Sequence, residues 1–230
     1  MAMAHALSSM IELLHLLERH ELWVKSGGLD GSGANLSGIN LSLSEFKFIE
    51  LGQKEVIGFQ FNGLRLDSID LSFSNLREKE FKGCHLCFAK FNHSLLSYSK
   101  FNGAKLDYAN FSHCTLSSSD FRGSSLKGTN LSGIILEPFP YWFTTEPSLL
   151  QSIPNPLQMN VNFSGAILTN ADLSGANLRF SVFRGATLHG ACLNGTNLAG
   201  ADLRWTDLVP EQIENTIIDY STKLPWHNTL

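Results

Sequence analysis

From Leu36 to Leu136, and again from Phe163 to Leu208, every fifth residue is leucine or phenylalanine, with Val56 the one substitution. Two residues before this large apolar side chain, here called position i, stands something small or modestly apolar, as at Ala34, Ile39, Cys84, Ala89, Ala104 and Ala171. The other three places carry mostly Asn, Asp, Ser, Lys, Arg and Gly. A period of five fits neither the 3.6 of a helix nor the 2 of a strand, so each pentapeptide must be one side of a larger unit that stacks on itself. With i and i−2 pointing inward and i−1, i+1 and i+2 facing water, the pattern predicts a solenoid wound around a narrow, dry column.

Units such as Ala34-Asn35-Leu36-Ser37-Gly38 and Ala171-Asp172-Leu173-Ser174-Gly175 resemble the Ala-(Asp/Asn)-Leu-x-x repeat of the pentapeptide repeat family, in its generic branch. The resemblance implies an all-β solenoid, a right-handed quadrilateral β-helix with four pentapeptides in each square coil, so that residues twenty apart stack. The sequence carries that longer period too. One face collects Leu41, Phe61, Phe81, Phe101 and Phe121, and Phe163 and Phe183 resume it, while Leu51, Leu71, Phe91, Phe111 and Leu131 share the face opposite. The i+2 position of the phenylalanine face reads Gly63, Gly83, Gly103 and Gly123, then Gly165 and Gly185, which indicates a turn with positive φ.

The chain divides into an N-terminal arm and capping helix (1–33), a first repeat block (34–136), an inserted loop (137–160), a second block (161–209) and a C-terminal cap (210–230). Ser9 and Glu12 form a capping box that opens a helix running to about Leu22, with Leu13, Leu14, Leu16 and Leu17 as its apolar face, expected to cover the first coil. Pro210 starts a short helix at the other end. Trp226 and Leu230 either finish that cap or meet a second subunit, which leaves a homodimer through a coil end open. Loops of this length are more often functional than incidental, and this one carries Tyr141, Trp142 and Phe143 among prolines. It is either a binding element or a segment whose aromatics pack on the coil wall.

A net charge of −4 with only 17% charged residues points neither to a basic nucleic-acid patch nor to a strongly acidic protein. No apolar run is long enough to cross a membrane, and Glu12 and Glu18 interrupt the N-terminal segment where a signal peptide would be apolar, so a cytoplasmic protein is expected. Cys84 and Cys114 fall at inward i−2 sites and Cys87 at an outward i+1 site, so reduced thiols and no disulfide framework are expected. No phosphate loop, nucleophile elbow or zinc-protease motif is present; the reading is a non-enzyme with no catalytic residues, cofactor or metal site. Asp70, Asp107, Asp120, Asp172 and Asp202 read as solvated surface groups. His93 and His113, twenty residues apart, bring two imidazoles together without a third ligand.

Aromatics at i+2, where small residues are usual, are the candidate contact residues: Phe48, Phe88 and Tyr108 on one corner, with Tyr98 on an adjoining face. Lys82, Arg122, Arg184 and Arg204 run along the phenylalanine face and are expected to pair with Glu80, Asp120 and Asp202. The functional expectation is an interaction scaffold that offers its wall and the aromatic loop to a protein partner. The alternative, taken from the quinolone-resistance branch of the family, is a DNA mimic that binds gyrase or topoisomerase IV. Mimicry needs an acidic rod, and here the faces are mixed or neutral.

Overall fold

The computed structural model describes residues 10–27, 29–32, 34, 61–136 and 160–227. Within them the chain is a β-helical solenoid. Parallel bridges join each i−1 residue to the one twenty further on: Arg65 to His85, Asp70 to Lys90, Asn75 to Leu95 and Glu80 to Lys100 close one coil, and the series repeats up the column. The bridges stay isolated because a turn follows every one of them.

The five backbone N–H groups of a pentapeptide account for the local sequence. That of i donates to the coil above (Phe61 to the Glu80 carbonyl, 2.8 Å), as does that of i+2 (Gly63 to Lys82, 2.9 Å). The next one closes the turn (Leu64 to Phe61, 3.1 Å), and that of i−1 donates to the coil below (His85 to Leu64, 2.9 Å). The fifth, at i+1, is taken by a side chain. Asn or Asp at i−1 accepts it in an Asx turn, as Asn110 does from Ser112 (3.0 Å) and Asn162 from Ser164 (3.0 Å). Elsewhere an i+1 side chain of the coil below does so, as Asn62 accepts from Lys82 (2.9 Å). This corrects the expectation for the aspartates. Asp70, Asp107, Asp120, Asp172 and Asp202 each accept a backbone N–H, from Ser72, Lys127, Arg122, Ser174 and Arg204, and are not simply solvated.

The core is stacked phenylalanine. Phe61, Phe81, Phe101, Phe121, Phe163 and Phe183 are all buried, and successive rings lie 4.6, 4.8, 4.7, 5.2 and 5.0 Å apart. Phe91 and Phe111 reach in from the opposite face and meet this stack edge-on, as Phe81 and Phe91 do at 5.7 Å and 84°. Both are favourable aromatic geometries. Small polar side chains at buried i−2 positions are satisfied: Ser94 donates to the Leu71 carbonyl (2.8 Å), Thr129 to Leu106 (2.8 Å) and the Cys84 thiol to Phe61 (2.7 Å).

The column passes through the insertion unbroken. Asp120 bridges Asn162, Ser125 bridges Ile167 and Phe121 stacks on Phe163, so the chain that leaves after Leu136 rejoins at the next corner. Residues 137–159 lie outside the described residues, and with them Tyr141, Trp142 and Phe143; the same holds for Phe48, Leu41 and Leu51.

Both ends differ from the simple reading. The first helix, α1, is Met10–Lys25, running three residues past Leu22; Leu17 is buried against the core and Leu16 partly so. Ser9 and the side chains of Leu13 and Leu14 are outside the described residues. The Ala34 carbonyl accepts the Asp70 N–H at 3.4 Å, tying the segment after α1 to the wall of the column. At the C-terminal end the wall runs on past Leu208, with Asn197 bridging Ile217 and Asp202 bridging Lys223. Pro210–Ile213 and Pro225–His227 are short 3₁₀ turns. Gln212 Nε2 donates to the Leu188 and Ala191 carbonyls (2.8 and 3.1 Å), supplying donors that a further coil would otherwise provide.

Candidate functional site

Every i+2 residue described between Gly63 and Trp205 has positive φ, aromatic ones included: φ is 61° at Phe88, 60° at His93, 64° at Tyr98 and 60° at Tyr108. Bulky residues rarely adopt this conformation. Here the turn imposes it at each corner, and the side chain then projects from the corner into solvent.

The projecting rings align. Phe88 and Tyr108, one coil apart, stack at 5.3 Å and 12°, and are 58% and 60% exposed. On the neighbouring corner Phe73, His93 and His113 form a three-ring stack with 5.0 Å between centroids at each step. Each stack ends on a glycine. A Cβ at Gly128 would stand 2.6 Å from the Tyr108 ring, and one at Gly133 equally close to the His113 ring. Ring faces meet one another along the column, so ring edges meet the solvent. Between these two corners lie the polar outward residues Lys90, Asn92, Asn110 and Ser112, with Asp70 and Lys90 3.5 Å apart.

The structure thus brings Phe88 and Tyr108 together and adds residues not singled out as contacts in the sequence: Phe73, Phe180 and Trp205 are also i+2 aromatics. Phe73 is 62% and Trp205 67% exposed, and Arg204 and Arg184 lie 5.3 and 5.8 Å from the Trp205 ring. The same signal, an aromatic where the turn favours glycine, marks them all. His93 and His113 are committed to stacking, and among the described residues no group of three His, Cys, Asp or Glu side chains converges on a metal position.

Charge on the phenylalanine face is paired. Glu80 binds Lys100 (2.9 Å) and Lys82 (3.0 Å), Asp120 binds Arg122 (2.6 Å), and Asp202 binds both Arg184 (2.6 Å) and Arg204 (2.7 Å). Lys100, Asn62 and Lys82 together hold the Glu80 carboxyl down to about 2. Burial pushes Asp202 up, but Arg204 and Arg184 outweigh it and leave the carboxyl well below the usual range. Burial works the other way on the two inward thiols, raising Cys84 to about 11 and Cys114 to about 12, and all four cysteines are free. Cys192, at an outward i−1 position, is exposed. No helix among the described residues is long and apolar enough to cross a membrane.

Solved structures are similar to this chain. QnrB1, described as a plasmid-mediated fluoroquinolone resistance protein, is 16% identical, with 82% of this chain and 92% of that one covered and a TM-score of 0.50. HetL, a pentapeptide repeat protein involved in heterocyst differentiation regulation from the cyanobacterium Nostoc, is 19% identical over 89% of this chain and 90% of that one, with a TM-score of 0.28. At these identities the likeness to QnrB1 extends to the fold alone. No curated protein matches the chain. The family models do: that of a pentapeptide repeat region matches residues 74–139, and that of pentapeptide repeats, in eight copies, matches 159–195 and 182–209. The matches stop at 139 and resume at 159, just inside the two ends of the inserted segment where the coil bridges themselves skip, and on sequence and geometry together the chain belongs to the pentapeptide repeat family.

Proposed function

We propose that this protein is a non-catalytic scaffold that presents its corner aromatics to a protein partner. The observation that carries the reading is the Phe88–Tyr108 pair: two parallel rings, more than half exposed, held at positive φ on a column built from stacked phenylalanine. A residue in that conformation costs about 1 to 2 kcal/mol relative to its relaxed state, and ring stacking returns about 0.5 to 1.5 kcal/mol. Glycine would be the cheaper occupant. Exposed aromatics on a rigid frame lose little entropy on binding, the property that makes such side chains interface anchors. In the same reading the column is right-handed and quadrilateral, α1 caps its N-terminal edge and the turns after Leu208 cap the other, so the free wall is what meets a partner.

The gyrase-mimic alternative draws less support, because Glu80, Asp120 and Asp202 are neutralised by adjacent cations and present no bare acidic rail.

The test replaces both rings with the residue the turn prefers. Phe88→Gly with Tyr108→Gly should leave the thermal midpoint of the protein unchanged or higher, while a partner captured saturably by the wild-type protein from its native extract is lost. Equal capture by the double variant would remove these rings from the function.

A further inference from the structure

We propose that His20 is an acid-sensitive latch, holding α1 on the N-terminal edge of the column while its ring is neutral and releasing it when the ring is protonated. Throughout the column the carbonyl at i+1 accepts the i+2 N–H of the coil below, as Cys87 does from Ser68 (2.8 Å) and Asp107 from Phe88 (3.0 Å). The Asp67 carbonyl, at the same i+1 position, faces His20 Nε2 at 3.1 Å. On the other side of the same ring, Nδ1 accepts the Ala34 N–H at 2.9 Å, and the Ala34 carbonyl in turn accepts from Asp70. The imidazole therefore does the work of a peptide group, donor at one end and acceptor at the other, between the Asp67 carbonyl and the Ala34 N–H.

Only one protonation state can do this. Nδ1 needs a lone pair for Ala34, and Nε2 needs its hydrogen for Asp67. A second proton would set an N–H on Nδ1 against the Ala34 N–H and put a positive charge on a side chain with 0% exposure. Burial lowers the affinity of His20 for that proton from its ordinary value of 6.5, against the opposing pull of the Asp67 carbonyl and carboxylate and the Leu66 carbonyl. Asp67 is the side chain of the coil whose charge acts on the ring, and its carboxylate accepts the Cys87 N–H at 2.9 Å. On α1, Arg19 is exposed and Glu21 is engaged with Lys25 at 2.8 Å; Trp23, stacked on the ring at 5.7 Å, carries no charge. Near Ala34 the closest titratable side chain in sequence is the exposed Asp30.

The sign follows. A histidine whose folded-state pKa is lowered stabilises its docked state above 6.5, and that contribution falls away as pH drops below 6.5. The column itself is held by phenylalanine and backbone groups that do not titrate there. Mild acid therefore undocks α1 first and bares the Asp67 carbonyl and the seat of Leu17 while the coils persist.

Hydrogen exchange on the full chain between pH about 8 and about 5, corrected for intrinsic rates, tests this. Protection of the α1 and Ala34 amides should fall by about tenfold or more, the effect of one linked proton over a pH unit or more, while the Leu106 and Leu126 amides keep theirs. His20→Gln, whose amide offers a donor and an acceptor but no titration, should remove the pH dependence. A flat profile for α1 in the wild-type protein, an equal fall in His20→Gln, or a simultaneous loss across the column would overturn the latch. Should the variant fail to dock α1 at any pH, the NMR titration of the wild-type His20 ring decides: a midpoint below 6.5 that tracks α1 protection supports the latch, and a midpoint at or above 6.5 refutes it. None of these outcomes bears on capture through Phe88 and Tyr108, so the latch and the scaffold fail separately.

Discussion

Phe101 is fully buried between Phe81 and Phe121, with Phe91 and Phe111 against its edges. Phe101→Ala should cost roughly 3 to 5 kcal/mol in equilibrium unfolding, since the coils above and below fix the cavity walls; a loss under about 1 kcal/mol would mean that the stack does not carry the core. The corners are ruled by backbone conformation instead. At Gly103 an added Cβ meets nothing within 4 Å, so Gly103→Ala should cost only the price of positive φ, about 1 kcal/mol. Gly128→Ala should cost more, because its Cβ would press on the Tyr108 ring, and a Tyr108→Gly background should bring the two alanine substitutions level. Glu80 supplies a pH term. Its carboxyl is held down to about 2 from an ordinary 4.5, so its contribution is complete above 4.5 and is lost as pH falls toward 2. Urea midpoints of Glu80→Gln and wild type should therefore converge across that window and stay apart at neutral pH; a constant gap would show that the Lys82 and Lys100 contacts do not act through charge.

At the scale of elements, the bridges from Asp120 to Asn162 and Ser125 to Ile167 make the coil continuous across the insertion. Replacing residues 138–160 with a short Gly/Ser link should leave the circular dichroism spectrum and thermal midpoint nearly unchanged, whereas collapse would show that the segment supplies part of the wall. The inward positions were legible in the sequence because burial alone selects Leu or Phe at i and a small residue at i−2, and the alternation of Phe with Leu disclosed the twenty-residue coil. The role of Asp and Asn at i−1 was not legible. A polar residue that accepts one N–H has the same periodicity as one that merely faces water, and only the backbone geometry separates Asp172 accepting from Ser174 from a solvated carboxylate. The ends were obscured for a different reason. After Leu208 the inward places pass to Ile213 and the 40% exposed Ile218, and Leu224 comes one residue late, so the last coil is irregular where Gln212 and Asp219 replace backbone partners. Near Ala34, nothing in a regular repeat announces that His20 will bridge the Ala34 N–H and the Asp67 carbonyl.

For the molecule as a whole, the arrangement of charge decides between a scaffold and a mimic of nucleic acid. A duplex presents unpaired negative charge at regular intervals, and a protein that occupies its groove must do the same. In this column the carboxylates turn inward on themselves: Asp70, Asp107, Asp120, Asp172 and Asp202 accept backbone N–H groups, and those nearest the phenylalanine face also bind Lys or Arg. Attraction between exposed charges is also screened over about 8 to 10 Å near physiological salt. Purified gyrase acting on relaxed plasmid, across a salt series, should show neither inhibition of supercoiling nor protection from quinolones at about micromolar protein, a level at which a charge-steered ligand would already bind. Inhibition that weakened with rising salt, and that weakened further in Asp107→Lys or Asp202→Lys, would mean that these carboxylates reach a basic groove in spite of their internal partners, and the protein would then be read as a mimic.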